Sequence, residues 1–263
     1  MSLDKLSGFA AAKKEAAGSM GFIRSFFSAS LNLFFPPSCP SCMTLTGKST
    51  GHLCKDCFAR LQFIFPPYCP CCGRGFSNGR ENHLCLDCLE SPWEFDKARS
   101  LVLYEEVVAG LIHRLKYSGI LTGLSTFRQV WEQSSVVNDL EVPDIIHPVP
   151  LHVKRLRKRG FNQALLLARE LFAEEKERIR FDILARQRDT PSQTKLSGKE
   201  RRRNLKDSFV VKYPTEVSGK NILLLDDVFT TGATANECAK VLKNAGCKKV
   251  EVLTICRADK FSS

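Results

Sequence analysis

The segment from Asn221 to Thr234 (Asn-Ile-Leu-Leu-Leu-Asp-Asp-Val-Phe-Thr-Thr-Gly-Ala-Thr) restricts the fold more than any other part of the chain. Ile222 to Leu225 is an unbroken apolar run, which reads as a strand buried on both faces and so requires a parallel sheet covered by helices. Two carboxylates, Asp226 and Asp227, follow where that strand is expected to end. A small-residue turn comes next, Thr230, Thr231, Gly232 and Ala233, and Thr234 with Glu237 has the spacing of a capping box. A helix is therefore expected to begin at Thr234. Ligands of open α/β sheets bind outside the carboxyl ends of the strands, where this element would lie.

Residue types in the turn indicate its chemistry. Free amides at a helix N-terminus, with the positive end of the helix dipole, form a phosphate site. Gly232 tolerates positive φ and lets the backbone approach closely, while the hydroxyls of Thr230, Thr231 and Thr234 add donors. Asp226 and Asp227 would repel a phosphate, so they are expected to accept hydrogen bonds from sugar hydroxyls one ribose away. Acids and phosphate at that separation suit a ribose 5-phosphate. The bland alternative is an acidic strand end followed by an ordinary capped helix.

With 263 residues the chain can bury a sizeable core and is expected to divide into two units. Its formal charge is +11. Between Leu151 and Lys206 there are 17 Lys and Arg against seven Asp and Glu, a net of +10, so one segment carries nearly all the excess. An anionic partner is implied: pyrophosphate, nucleic acid or both. Lys154, Arg155, Arg157, Lys158 and Arg159 form the densest cluster, and Arg201, Arg202 and Arg203 a second.

Nine of the twelve cysteines lie between Cys39 and Cys88. They form four Cys-x-x-Cys knuckles: Cys39 with Cys42, Cys54 with Cys57, Cys69 with Cys72, and Cys85 with Cys88. Eleven residues separate the first two knuckles and twelve the last two. Each half reads as knuckle, hairpin, knuckle, the arrangement that supplies four thiolates to tetrahedral zinc in a reducing compartment, with redox dithiols as the alternative. Pairing first with second and third with fourth gives a double zinc ribbon holding two structural zinc ions; an interleaved cross-brace remains open. Cys71 falls outside the pattern, and His52 and His83 are possible substitute ligands. Too few apolar residues accompany the knuckles for unaided folding, so the metal would drive it.

Residues 1–20 read as a disordered leader. Residues 21–37 read as an amphipathic helix, too short and too interrupted by Arg24 to span a membrane, that either docks on the core or lies at a membrane interface. Residues 38–91 are the ribbon region and 92–263 the sheet domain. Within the latter, strands are expected at Ala98–Tyr104, Asp144–Pro150, Phe181–Ala185, Ser208–Tyr213 and Lys249–Cys256, and helices at Val107–Tyr117, at Leu121–Leu140 and from Asn162. Leu165, Leu166, Ala168, Leu171 and Phe172 are the expected buried stripe of the last. Cys238, Cys247 and Cys256 read as buried thiols without chemistry.

Three features coincide: the paired knuckles, the run Arg159-Gly160-Phe161-Asn162-Gln163 ahead of a helix, and the Asp226-to-Thr234 stretch. The stretch looks like the signature of type I phosphoribosyltransferases, which bind 5-phosphoribosyl 1-pyrophosphate (PRPP). Together the three resemble the ComF family, bacterial proteins related to amidophosphoribosyltransferases and associated with DNA uptake in natural competence. The resemblance covers about Leu33 to Ala258. It implies a small Cys-rich double zinc ribbon preceding an α/β domain of type I phosphoribosyltransferase fold, an open, mostly parallel sheet flanked by helices. It places ribose on Asp226 and Asp227, the 5-phosphate on Thr230 to Thr234, and a pyrophosphate loop at Pro150, Leu151 and His152. Arg188 to Asn204 resembles the mobile loop over the reacting centre, with Arg188 catalytic alongside the two acids. Magnesium is implied with PRPP. No amidotransferase cysteine or glutaminase domain is found, so glutamine-fed amination is not expected. Two functions follow: a PRPP-dependent transferase, or a non-catalytic module engaging single-stranded DNA and a competence helicase. A homodimer and a cytoplasmic location complete the expectation.

Overall fold

Alternation along the Ile222–Leu225 run decides the architecture. Ile222 and Leu224 enter one apolar cluster and Leu223 and Leu225 another, so each side of the strand is covered. In the computed structural model, which describes residues 37–47, 51–76, 81–117, 123–189 and 205–258, the described residues from Ser38 onward belong to one compact unit. The expected leader over residues 1–20, the amphipathic helix before residue 37, and the Thr190–Asn204 segment with Arg201, Arg202 and Arg203 lie outside the described residues.

The strands are β1 (Lys97–Leu103), β2 (Ile145–Pro148), β3 (Leu184–Arg186), β4 (Phe209–Val211), β5 (Asn221–Phe229) and β6 (Lys249–Arg257). Four of them make one sheet in the order β1-β6-β5-β2, every neighbouring pair parallel. β3 and β4 form a separate antiparallel pair. Helices α1 (Lys55–Ala59) and α2 (Leu86–Glu90) belong to the ribbons; α3 (Glu106–Tyr117), α4 (Leu124–Gln133), α5 (Val153–Arg159), α6 (Gln163–Leu171), α7 (Pro214–Val217) and α8 (Ala233–Asn244) follow.

One face of the sheet packs on α3, α4 and α6 through Leu111, Phe127 and Leu167, and the first ribbon adds Cys39, Cys57 and Ile64 to the same cluster. The other face packs on α8 through Cys238, Ala239 and Leu242. This is the expected open α/β sheet with helices on both sides. Both outer strands are covered. Residues 62–64 run beside β1, with Leu103 N donating to Gln62 O (2.8 Å) and Ile64 N to Leu101 O (3.2 Å). Beside β2, Arg180 N donates to Ile146 O (3.0 Å).

Several expectations need correction. β5 does not end before the acids but continues through Asp226 and Asp227 to Phe229, because β6 pairs with it as far as Arg257. α8 begins at Ala233, not Thr234, and no capping box forms: Gly232 is the N-cap in left-handed conformation (φ +71°), and Glu237 Oε1 instead accepts from Asp207 N (2.8 Å). In α6 the buried face is Gln163, Ala164, Leu167, Ala168 and Leu171, while Leu165 and Leu166 are only partly buried. The expected helix over Leu121–Leu140 stops at Gln133 and continues as a 3-10 turn, Ser135–Asp139. α5 was not foreseen, since it buries none of its residues.

Candidate functional site

The carboxyl ends of β2 and β5 open into a cleft of about 210 Å³. Asp226, Asp227 and Thr234 form one wall, Pro150 and Leu151 another, and Lys116 of α3, Arg155 and Arg159 of α5 and Arg186 of β3 converge on it from three elements. The space enclosed by the turn itself is smaller, about 20 Å³, bounded by Thr230, Gly232, Ala233, Thr234 and Thr254. That is room for a water; a phosphate would rest on the turn rather than inside it. By the i→i−4 pattern the first amides of α8 have no intrahelical acceptor, which leaves them available to an anion.

Gly232 serves this turn in a way its sequence position alone does not show. A Cβ there would meet Phe229 Cζ at 2.7 Å and the Trp93 ring at 3.0 Å, so the glycine lets the turn lie flat on two aromatic rings as well as adopt positive φ.

The two acids are held differently. Asp227 is 4 % exposed, is paired with Lys116, and receives Gln163 Nε2 at 3.4 Å. Burial pushes its carboxyl up, but the Lys116 ammonium together with hydrogen bonds from Asp226 and Gln163 outweighs that and holds it below the usual carboxylate range. Asp226, partly open to the cleft, accepts from the Asp227 amide (2.9 Å). Burial first, and then the neighbouring Asp227 charge, push its carboxyl well above the usual range. One acid is thus firmly ionised and the other holds a proton more readily, as two adjacent carboxylates with one close cation require.

The run Arg159 to Gln163 is a joint that sets this geometry. Gly160 ends α5 in left-handed conformation (φ +84°). Asn162 Oδ1 caps α6 by accepting from Ala164 N (3.0 Å), and its Nδ2 donates to Val149 O (3.0 Å), beside Pro150 and Leu151. Gln163 Oε1 accepts from Arg159 while its amide nitrogen reaches Asp227. Arg186 is pushed down by burial and by nearby Arg155. An anion entering the cleft would relieve that cost.

Not every expected residue reaches the cleft. His152 is a helix cap: its Nδ1 accepts from Lys154 N (3.3 Å), and it is not among the cleft-lining residues. Arg188 lies outside, with a guanidinium nitrogen 3.4 Å from Lys206 O; of Arg186 and Arg188, it is Arg186 that lines the cleft. The basic cluster divides. Arg155 and Arg159 line the cleft, whereas Lys154, Arg157 and Lys158 are exposed and Lys154 Nζ lies 3.5 Å from Asp189. Lys116, Tyr117, Gln163 and Arg186 line the cleft and were not picked out as site residues from the sequence. For Lys116 the only signal was the basic end of its helix.

The cysteines form two sets, Cys39, Cys42, Cys54 and Cys57, and Cys69, Cys72, Cys85 and Cys88, with the sulfurs of each within 4.8 Å of one another. Knuckles therefore pair consecutively, not interleaved. The separations of Cys42 from Cys54 (3.6 Å), Cys69 from Cys88 (3.7 Å) and Cys72 from Cys85 (3.6 Å) match the roughly 3.8 Å edge of a tetrahedron with 2.3 Å zinc–sulfur bonds. Backbone N–H groups of Ser41, Cys57 and Cys85 point at sulfurs, as thiolate ligands favour. The residues fit structural zinc at both sets. Cys71 and His52 are outside them, and His83 stacks on Phe76 at 4.0 Å instead. Cys238, Cys247 and Cys256 are buried, as expected. Among the described residues no helix is long and apolar enough to cross a membrane.

Two parts of the chain match known domain families. A double zinc ribbon domain matches residues 30–89, and a phosphoribosyl transferase domain matches residues 156–261. The DNA utilization protein YhgH of Escherichia coli O6:H1 is 35 % identical over 181 residues, 67 % of this chain and 79 % of that protein. Competence protein F of Haemophilus influenzae is 32 % identical over 179 residues, 66 % of this chain and 78 % of that protein. Competence protein ComFC of Bacillus subtilis is 28 % identical over 216 residues, 79 % of this chain and 78 % of that protein.

Proposed function

The chain belongs to the ComF family, and from that premise we propose that it binds PRPP in the cleft between Asp226–Asp227 and the four basic side chains and transfers its ribose 5-phosphate within a DNA-uptake process. The observation that carries this reading is the convergence of Lys116, Arg155, Arg159 and Arg186 on two adjacent acids at the carboxyl end of β5. The 5-phosphate would rest on the amides of Thr231 to Thr234, the ribose hydroxyls on Asp226 and Asp227, and the diphosphate beside Pro150, Leu151 and the basic side chains.

In the reaction the bond from C1 of the ribose to the diphosphate oxygen breaks, its electron pair leaves with diphosphate, and the acceptor bonds to C1. Charge develops on the departing oxygen, so fixed cations at that end stabilise the transition state more than the ground state. Lys116 lines the cleft while paired with Asp227. Magnesium bound with PRPP would add neutralisation through phosphate and ribose oxygens. Arg188 stands at the start of the segment that resembles a mobile cover, and would act only if that segment closed.

Titration calorimetry with PRPP and magnesium tests the reading. Magnesium-dependent binding is expected, weakened at least tenfold by Asp227→Asn; absence of heat with the unmodified protein would overturn it.

A second reading rests on the exposed side of α5. Lys154, Arg157 and Lys158 point away from the cleft on the helix whose Arg155 and Arg159 enter it. Three cations on one exposed turn suit nucleic-acid phosphates, and the name of a relative above, a DNA utilization protein, supports DNA as that partner, single-stranded DNA being the form the resemblance implies. The two readings occupy different surfaces and do not compete. A competence helicase and a second copy of the chain are further proposed partners, resting on the resemblance alone.

A further inference from the structure

The second thiol set does not end at its sulfurs. Trp93 donates its indole N–H to Cys88 Sγ (3.2 Å). The far edge of the same ring lies under the phosphate turn, where a Cβ on Gly232 would stand 3.0 Å from Trp93 Cη2 and Cζ3. Trp93 stacks on Phe95 (5.1 Å between centroids) and meets Phe229 edge-on (6.4 Å), and Phe229 is the other ring beneath Gly232. The next residue continues the link, since Glu94 N donates to Asn236 Oδ1 (2.8 Å) in the first turn of α8. A parallel route runs through Arg257, which donates to Cys72 O (2.7 Å) and lies over the Phe229 ring (5.3 Å). The first thiol set has a different setting, because Cys39 and Cys57 pack with α3 on the opposite face of the sheet.

We propose that Trp93 is a positioning residue for the Thr230–Thr234 turn, keyed by the second thiol set, so that metal on Cys69, Cys72, Cys85 and Cys88 and a phosphate on the turn stabilise each other. The proposal rests on the reading of that turn as a phosphate site. Its physical basis is rigidity. A turn that places bare amides against an anion must not sag, and here it rests on two rings, of which the indole is fixed at its other end by a hydrogen bond to a sulfur of the second thiol set. A thiolate that carries zinc accepts that N–H in a set direction; release of the metal frees the sulfur, and with it the ring.

Coupling of this kind is reciprocal, which supplies a test on the zinc-loaded full chain. Zinc transfer to a coloured chelator is followed with and without ribose 5-phosphate, whose binding is measured separately by calorimetry. The release from one site is expected to slow by about fivefold, the low end of coupling between sites, while release from the other is unchanged. Trp93→Phe keeps a ring under the turn but lacks the N–H. It should remove the protection and weaken ribose 5-phosphate binding, while leaving Trp131, the chain's other tryptophan, with unaltered fluorescence. Binding of ribose 5-phosphate with equal release from both sites, or protection that survives in Trp93→Phe, would overturn the coupling alone. No binding of ribose 5-phosphate to the unmodified protein would remove the phosphate site, and this proposal with it.

Discussion

Lys116, the penultimate residue of α3, forms an ion pair with Asp227 of β5 at the floor of the cleft, and both partners are largely buried. Burial pulls the lysine pKa down, but Asp227 more than restores it, so the ammonium stays charged. The pair fixes which of the two adjacent acids is ionised, and it places a cation where departing diphosphate would need one.

Lys116→Met is therefore expected to cost stability, because it strands a carboxylate in a buried place. Removing one partner of a buried pair costs about 3 kcal/mol or more, which urea unfolding would read. The double variant Lys116→Met with Asp227→Asn should recover most of that loss. A single variant as stable as the unmodified chain would show the pair to be energetically idle.

Asp226 gives a pH-dependent signature. Its carboxyl holds a proton more tightly in the fold than in the unfolded chain, so folding takes up a proton, and stability falls as pH rises from the unfolded pKa, about 3.9, to the raised folded value. Asp226→Asn removes that penalty. The variant should unfold at a higher temperature than the unmodified protein at pH 7, with the difference vanishing towards about pH 4, and it should bind PRPP more weakly. Equal melting temperatures at neutral pH would refute this.

Gly232→Ala should be destabilising for two independent reasons. Left-handed backbone costs a residue with a Cβ roughly 1–2 kcal/mol, and the added carbon would crowd Phe229 and Trp93. Thermal melts and ribose 5-phosphate titration should both show loss; a variant with unchanged melting and binding would exclude the packing described for the turn.

Elemental analysis of the purified protein should give two zinc ions per chain, and stripping them should collapse the ribbons, since structural zinc contributes folding energy outright. Cys54→Ser and Cys85→Ser should each lose one ion. A preparation with one zinc or none would contradict the two four-sulfur sets.

For the exposed side of α5, Arg157→Ala with Lys158→Ala should flatten the salt dependence of single-stranded DNA binding by about 1.4 log units per log unit of salt, the share of two phosphate contacts. PRPP affinity should be unaffected. A shared loss of both activities would place the two residues in the cleft instead.

Much of this was legible in the chain because the signals were local. An apolar run needs no knowledge of its partners to read as a buried strand, and Cys-x-x-Cys spacing carries its own geometry. The sequence misled where two local rules competed. Thr234 and Glu237 match a capping box, but Gly232 in left-handed conformation starts the helix one residue earlier and frees Glu237 for Asp207. In the stripe of α6, Ala168, Leu171 and Phe172 are buried as expected, but Gln163 and Leu167 turn inward in place of Leu165 and Leu166 in the turns that follow the Asn162 cap. Lys116 was invisible as a site residue because its partner is distant in sequence, and only the packing of α3 on the sheet brings them together. Arg186 was passed over for Arg188, since residue type alone does not tell which of two nearby arginines points inward.

The covered flanks of the sheet have a consequence for how the protein meets others. With Gln62 and Ile64 bonded along β1 and Arg180 along β2, the described residues leave fewer bare peptide groups at the two margins of the four-stranded sheet for a visiting strand to zip onto. Recognition of a second copy or of any other protein would then fall more to side chains, on the knuckles or the helices, where single substitutions can retune it without disturbing the sheet.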